Sequence, residues 1–343
     1  MKYVVNGKFL TQKTTGVQRY AREILLELDK LVKPGELKIA VPSGTNGLPE
    51  YQNIEIMYIG RLHGIAWEQL SFPIYAMLHN LITLNLCNVG PLLTPGITCL
   101  CDVKIKATPQ YFSKKFLLWY RLLFWNVAKR AKKIITISEF SKREIIKYYG
   151  VTDSKIIVIP CAWQHFERID YDENALNKYS LEKNGYLFSM FSLEPNKNFK
   201  WILEEAKRNS DQIFAVAGAI NKKVFAKRRE FEYPSNIKML GYVSDEEAKT
   251  LMRDCKAFLF PTFYEGFGIP PLEAMSAGAK CVVVSDTEVM HEIFEDDVVY
   301  VDAAKCEYNL NELISEKDHK KNRPMQKYSW SKSAYELRKL LYL

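Results

Sequence analysis

Residues 256–285, KAFLFPTFYEGFGIPPLEAMSAGAKCVVVS, decide the predicted fold of this chain. An apolar run, 257–260, leads through a glycine-containing loop into a helical pattern opened by Pro270 and Pro271, and a second apolar run, 282–285, follows. Proline suits the first helical turn because the amide hydrogen it lacks would be unpaired there. The segment therefore predicts a strand, a loop, a helix and a strand in succession, the repeating unit of a parallel sheet covered by helices.

The same alternation extends along most of the chain. Apolar runs that predict strands lie at 3–7, 37–42, 54–60, 81–87, 97–101, 133–138 and 155–160, and then at 186–191, 212–218, 236–241, 256–262, 280–285 and 298–302. Helical patterns separate them, which predicts an α/β protein with two doubly wound parallel sheets that face a cleft. Ligands of such sheets bind beyond the carboxyl ends of the strands, so we expect the functional loops there.

A polar stretch divides the two halves. We predict an N-terminal domain of residues 1–165, a linker of residues 166–184 and a C-terminal domain of residues 185–326. The tail, 327–343, reads as a helix that crosses back onto the N-terminal domain, with Trp330 on its apolar face.

Composition and charge limit the class of protein. The chain has 343 residues with 48% hydrophobic and 26% charged content, enough for two domains. The start, MKYVVNGKFLTQK, shows no signal peptide, and seven scattered cysteines suit free thiols in a reducing compartment, so we expect a cytoplasmic protein.

The formal net charge of +8 favours anionic partners. Residues 112–133, FSKKFLLWYRLLFWNVAKRAKK, place an aromatic apolar centre between basic ends, and that centre is shorter than the roughly 20 residues of a membrane span. The segment is either an interfacial helix on the membrane surface or an ordinary buried helix with basic ends. No nucleic-acid-binding module is present, so we expect no nucleic-acid partner.

The loop of the deciding segment has the features of a phosphate site. Gly266 and Gly268 allow close approach of a ligand to the backbone, and the start of the next helix favours an anion. Glu265 and Glu273 flank it as acceptors for sugar hydroxyls, although a loop contact and the helix dipole would explain them as well. Lys197, in a loop after another predicted strand, is placed to meet a diphosphate, or is a solvated loop lysine.

Five segments resemble glycosyltransferase family four and appear in the family's order. They are TTGVQRYAREIL (14–25), ITISEFSKREI (135–145), SLEPNKNF (192–199), GYVSDEEAKTLMRDCKAFLFPTFYEGFGIPPLEAMSAG (241–278) and YSWSKSAYELRKLL (328–341). The resemblance implies a GT-B fold with an N-terminal acceptor domain and a C-terminal donor domain. It also implies a nucleoside-diphosphate sugar as co-substrate, no required metal or other cofactor, and retention of anomeric configuration.

The resemblance also implies roles for individual residues. Glu265 matches the carboxylate that contacts the donor sugar, Glu273 the one that binds the ribose, and Lys197 the lysine that binds the diphosphate. The other donor-site positions are Gly16, Ser192, Asn196, Tyr242, Val243, Gly266, Phe267, Gly268 and Ile269.

The chain departs from the family pattern at two positions. Many relatives carry a His-Asp pair where this chain has Cys101 and Asp102, so the group expected near the reacting carbon is a thiol, a weak hydrogen-bond donor. Ser192 stands where many relatives place an arginine, which leaves more of the diphosphate charge to Lys197. We therefore assign Lys197, Glu265, Asp102 and Cys101 as the candidate catalytic residues.

The predicted function is transfer of a hexosyl or deoxyhexosyl unit, rhamnose or mannose in type, to a saccharide or lipid-linked oligosaccharide in bacterial surface-polysaccharide synthesis. The sequence offers no spare carboxylate for a covalent intermediate, and the resemblance implies front-side displacement as the mechanism. Two alternatives stay open: a glycosyltransferase-like scaffold weakened at Cys101, and a GT-B nucleotide-sugar epimerase. The epimerase needs acid-base groups beside the sugar, and none of the five histidines lies in the motif loops.

Overall fold

The computed structural model describes residues 2–191, 194–218, 233–315 and 322–342. These residues form two compact units. The first unit comprises Met1–Cys161 and Tyr328–Leu343, and the second comprises Ala162–Lys327.

The first unit is built on a seven-stranded parallel sheet of order β3-β2-β1-β4-β5-β6-β7. Its strands are β1 (Tyr3–Asn6), β2 (Leu37–Val41), β3 (Glu55–Tyr58), β4 (Ile82–Asn85), β5 (Ile97–Cys99), β6 (Lys133–Thr136) and β7 (Ile156–Val158). β1 and β5 are buried along their whole length and β4 is buried except at Ile82, which explains why they read as continuous apolar runs.

Helices of the first unit connect these strands. They are α1 (Gly16–Asp29), α2 (Gly64–Ala66), α3 (Phe72–Leu78), α4 (Lys104–Ala107), α5 (Lys114–Arg130) and α6 (Glu139–Tyr149). A π-helical turn, Trp67–Ser71, joins α2 to α3. Across the described ranges, no helix combines the length and the apolar character that crossing a membrane requires.

The second unit has a six-stranded parallel sheet of order β10-β9-β8-β11-β12-β13. Its strands are β8 (Tyr186–Met190), β9 (Ile213–Ala217), β10 (Ile237–Gly241), β11 (Ala257–Phe260), β12 (Val282–Ser285) and β13 (Val299–Val301). Its described helices are α7 (Ala175–Lys178), α8 (Phe199–Arg208), α9 (Asp245–Asp254), α10 (Ile269–Ser276), α11 (Glu288–Phe294), α12 (Leu310–Ser315) and α13 (Arg323–Lys327). Two doubly wound parallel sheets were predicted, and this prediction is confirmed.

The stretch predicted as a linker, 166–184, lies inside the second unit. Phe166 is buried, the Lys249 ammonium donates to the carbonyl of Ile169 at 2.6 Å, and Ala175 is buried at the start of α7. The boundary between the units therefore falls earlier, after Cys161. The segment looks polar in sequence because it packs through a few apolar side chains and main-chain hydrogen bonds rather than through an apolar stripe.

The last helix, α14 (Trp330–Tyr342), belongs to the first unit. Trp330 is buried with its ring 6.0 Å from the ring of Tyr20 on α1, edge to face, and Ser333 donates to the carbonyl of Pro160 at 2.8 Å. Aromatic burial of this kind carries much of a core's stabilisation, so α14 is part of the first unit's core.

Candidate functional site

The predicted residues Lys197 and Glu265 follow the two strands at which the strand order of the second sheet reverses. β8 and β11 are neighbours in the sheet although β9 and β10 separate them in the chain, which makes their junction the switch point where open α/β sheets bind ligands. A turn, Pro195–Lys197, follows β8, and the loop 261–268 follows β11. The Phe263 amide donates to the carbonyl of Asn196 at 2.9 Å, so the two loops are joined by their backbones.

Lys197 and Glu265 meet at this switch point. The Lys197 ammonium donates to Glu265 Oε1 at 2.6 Å and lies 5.5 Å from the centroid of the Phe260 ring. Both side chains are mostly buried, with exposed fractions of 18% and 16%. An ammonium has three donors, so Lys197 can hold Glu265 and still donate to an anionic ligand. The sequence predicted both residues for one site, and the fold brings them together.

Gly268 sets the entry into α10. Its φ of +101° lies in the region that favours glycine, and a Cβ there would lie 3.1 Å from Met290 Cε and 3.3 Å from Phe294 Cε2, both on α11. Pro270 and Pro271 occupy the first turn, and Ile269 and Phe267 are buried beside them. The backbone here is thus fixed in shape by glycine and proline, with the start of an eight-residue helix directly after it.

Glu273 has a partner that sequence reasoning missed. It lies on α10 with only 5% of its surface exposed, and its Oε1 is 2.7 Å from His165 Nε2, which is 2% exposed. No histidine lies in the motif loops in sequence, and the fold brings His165 to Glu273 from outside them. His165 sits in a segment with no spacing signal, so no sequence pattern could have assigned it.

The other predicted donor positions in the second unit differ in their burial and hydrogen bonding. Asn196 is buried, and its side-chain nitrogen Nδ2 has no hydrogen-bond partner among the described residues. Tyr242 is 82% exposed after β10, whereas Val243 is buried ahead of α9. Gly266 lies within the loop after β11, while Ser192 falls outside the described residues. A buried unpaired donor such as Asn196 Nδ2 is rare and suits a ligand contact.

Three predicted positions belong to the first unit. Gly16 is exposed at the start of α1. Cys101 is buried just after β5, where its amide donates to Asn88 Oδ1 at 2.7 Å and its sulfur lies 3.7 Å from that of Cys99. Burial raises the pKa of the Cys99 thiol well above its usual range. Asp102 accepts from the Lys104 amide at 2.9 Å, so part of its carboxylate is used by its own turn.

The first sheet has a polar network at its own switch point, between β1 and β4, which sequence reasoning also missed. Asn6, the last residue of β1, donates to Glu68 Oε1 at 3.0 Å and to Asn85 Oδ1 at 3.1 Å. Glu68 also pairs with Lys8. Asn6, Glu68 and Asn85 are buried, and Glu68 lies on the π-helical turn that joins α2 to α3, a helix irregularity often found at functional sites.

Two doubly wound parallel sheets, one carrying a lysine, carboxylates and a glycine-proline helix entry at its switch point, define the class as a GT-B glycosyltransferase fold. Solved structures agree with this class. HepE of Anabaena, solved in complex with UDP and glucose, matches with a TM-score of 0.73 at 15% identity over 100% of this chain and 99% of that one.

The family is given by the sequence comparisons. The model described as glycosyl transferases group 1 matches residues 172–329, and the model described as glycosyltransferase family 4 matches residues 57–163. The chain belongs to glycosyltransferase family four.

Curated relatives include O-antigen chain mannosyltransferase B of Escherichia coli and O-antigen chain mannosyltransferase RfbU of Salmonella typhimurium. Each is 29% identical over 215 residues, which is 60% and 62% of this chain. The matched region spans just over half the length of these relatives, 56% and 58%.

Proposed function

We propose that the protein is a glycosyltransferase that moves a hexosyl unit from a nucleoside-diphosphate sugar to a saccharide acceptor. The observation that carries the proposal is the Lys197–Glu265 pair at the β8–β11 switch point, beside the entry to α10. A cation, an acceptor of hydrogen bonds from hydroxyl groups and the positive end of a helix are the groups that suit a sugar diphosphate.

Each group has a proposed role toward the donor. Lys197 and the positive end of the α10 dipole hold the diphosphate, and Asn196 Nδ2 supplies a further donor from the same turn as Lys197. Glu265 accepts from hydroxyls of the transferred sugar, and Glu273 accepts from the ribose. The exposed ring of Tyr242 and the backbone of Val243 lie after β10. We propose that they contact the nucleotide base.

The proposed reaction retains configuration by front-side displacement. The bond from the anomeric carbon to the diphosphate oxygen breaks, and the acceptor oxygen bonds to the same face of that carbon. The departing diphosphate oxygen takes the acceptor's proton, and Lys197 stabilises the negative charge that develops on the diphosphate. The residues therefore act by positioning and electrostatics and need no metal ion.

Mannose is the first candidate for the transferred sugar, because several relatives are named mannosyltransferases. Those names also refer to O-antigen chains, which supports a surface-polysaccharide acceptor, lipid-linked in our proposal. Rhamnose remains the second candidate. Cys101 and Asp102 of the first unit stay candidate catalytic residues in this proposal, with Cys101 at the position where many relatives carry the histidine expected near the reacting carbon.

The first test is the change in melting temperature with UDP, GDP, dTDP and CMP. A ligand at 100 times its Kd stabilises a protein by about 2.7 kcal/mol, so one nucleotide is expected to stand out. Lys197→Ala is expected to abolish the shift, whereas Lys207→Ala, at a mostly exposed helix position, is expected to keep it. If no nucleotide shifts the wild type at millimolar concentration, the donor-site proposal is wrong and the scaffold alternative takes its place.

Turnover is tested next with the sugar nucleotide of the base found. Transfer to a saccharide acceptor that persists in EDTA, with the anomeric configuration kept, supports the proposed reaction. Conversion of the sugar nucleotide in the absence of any acceptor would instead indicate an epimerase.

We further propose peripheral contact with an anionic membrane through α5. One face of this helix is buried through Leu123, Phe124 and Val127, while Leu118 and Trp125 on the other face are 76% and 54% exposed. Basic residues surround that exposed face: Lys114, Lys115, Arg121 and Lys129. An exposed apolar stripe with cationic borders suits the headgroup region of anionic lipid.

Vesicle sedimentation tests this contact. The wild type is expected to sediment with vesicles of phosphatidylglycerol and not with vesicles of phosphatidylcholine. Leu118→Asp is expected to reduce sedimentation while Tyr335→Asp, an exposed aromatic position on α14, leaves it unchanged. Equal sedimentation of both variants would contradict the proposal.

A further inference from the structure

The segment that opens the second unit contacts α10, the helix that carries Glu273, and the short helix α13. Trp163 Nε1 donates to the carbonyl of Met325 at 3.1 Å, and the Tyr171 hydroxyl donates to the carbonyl of Ala277, just past the end of α10, at 3.4 Å. Between these anchors, His165 Nε2 lies 2.7 Å from Glu273 Oε1. The hydrogen bonds of Trp163 and Tyr171 thus hold the segment on both sides of the contact between His165 and Glu273.

We propose that His165 is a positioning residue that orients Glu273 for the ribose of the donor nucleotide. The inference rests on the proposed function, and in particular on the ribose role of Glu273. With this role, the start of the second unit, which carries no family motif, contributes a residue to the nucleotide site.

The chemistry of the pair supports this role. A carboxylate only accepts hydrogen bonds, so with an ionised Glu273 the proton of the contact belongs to His165 Nε2. Both side chains are buried, and a carboxylate buried without a hydrogen-bonded partner is strongly disfavoured. The contact therefore fixes the rotamer of Glu273 before the nucleotide arrives, which is the usual way that outer groups orient a binding residue.

A purely structural role makes a different prediction. If His165 only supports packing, its loss weakens every nucleotide by the same factor. If it acts through Glu273, its loss removes the part of the affinity that comes from the ribose hydroxyls. A ligand with those hydroxyls and one without them distinguish the two cases.

The experiment measures Kd by calorimetry for the nucleoside diphosphate that stabilises the wild type and for its 2′,3′-dideoxy analogue. The proteins are the wild type, His165→Ala, His165→Gln and the control His291→Ala. His165→Gln keeps an N–H donor. The control removes a histidine that also contacts a carboxylate, Asp286 at 2.6 Å, at an exposed position.

A charge-assisted hydrogen bond contributes about 1.5–3 kcal/mol, so the wild type is expected to bind the ribonucleotide roughly tenfold or more tightly than the analogue. In His165→Ala, Glu273 is no longer oriented to accept the hydrogen bond from the ribose, so the preference for the ribonucleotide is expected to fall below about threefold. His165→Gln is expected to recover most of the preference, and His291→Ala to keep all of it. If His165→Ala does not fold, His165→Phe replaces it, since it fills the volume without a donor.

The outcomes separate this inference from the function on which it rests. If the wild type prefers the ribonucleotide and His165→Ala weakens both ligands equally, the positioning role is wrong and the donor site stands. If the wild type binds both ligands equally, the ribose role of Glu273 is wrong and the inference fails with it. If the wild type binds neither, the proposed function itself is wrong.

Discussion

The pair Lys197–Glu265 gives a prediction whose size follows from its burial. Removing either partner leaves the other charge mostly buried and unpaired. Exposed ion pairs contribute about 0.2–1 kcal/mol, whereas breaking a fully buried pair costs about 3–5 kcal/mol. With exposed fractions of 18% and 16% and a separation of 2.6 Å, this pair lies between those limits. We expect a coupling energy of about 1–2 kcal/mol, since solvent still screens part of the interaction.

A double-mutant cycle measures that energy. Lys197→Met and Glu265→Gln keep the size of each side chain while removing its charge, and the double variant completes the cycle. Urea unfolding is followed by circular dichroism. A chain of two units unfolds in more than one step, so the second unit's transition is first identified with Trp201→Phe, at a buried position on α8.

The matched control is the exposed pair Lys207–Glu204, three residues apart on α8, with a separation of 3.0 Å and exposed fractions of 55% and 39%. Its coupling energy is expected to stay below about 0.5 kcal/mol. A coupling at Lys197 and Glu265 no larger than the control's would refute the reasoning, because the two groups would then not hold each other in place.

Three further predictions follow from single positions. Gly268→Ala is expected to lower the free energy of urea unfolding by about 2–4 kcal/mol, because alanine is strained at this positive φ and its Cβ would crowd α11. The control Gly278→Ala has a φ of +90° but no described atom within 4 Å of the new Cβ. It is therefore expected to lose only the backbone contribution, about 1–2 kcal/mol. Equal costs would show that α11 does not crowd the loop. Trp330→Ala is expected to destabilise the first unit by about 3–5 kcal/mol and Tyr335→Ala, which is 54% exposed, by less than about 0.5 kcal/mol; similar values would place α14 outside the core. Burial raises the pKa of the Cys161 thiol well above its usual range, so it is expected to resist iodoacetamide at pH 8 until the protein is unfolded, and rapid labelling of the native protein would contradict its burial.

Much of the site was predictable because its residues follow strands. Lys197 comes after β8 and Glu265 after β11, and the alternation of strands and helices places both at carboxyl ends. That these two strands are neighbours was not readable from the chain, because β9 and β10 lie between them in sequence. The closeness of the ammonium and the carboxylate is therefore a property of sheet order.

Other contacts were beyond sequence reasoning for a different reason. His165 contacts Glu273, which lies 108 residues further along the chain. Asn6 likewise contacts Glu68 and Asn85, which lie 62 and 79 residues away. A hydrogen bond between two distant side chains leaves no periodicity in the sequence. The packing of the polar stretch 166–184 within the second unit was not readable for the same reason, since it relies on scattered side chains and main-chain contacts.

The sequence by itself determined the α/β class, the two parallel sheets and the family, because short apolar runs alternating with helical patterns, and motifs in a fixed order, are local properties of the chain. Tertiary structure alone decided which strands became neighbours, where the first unit ends and which partner each buried charge received. The physical reason is that burial forces every charged group to find a partner, and the partner's position depends on how distant segments pack rather than on their spacing in sequence.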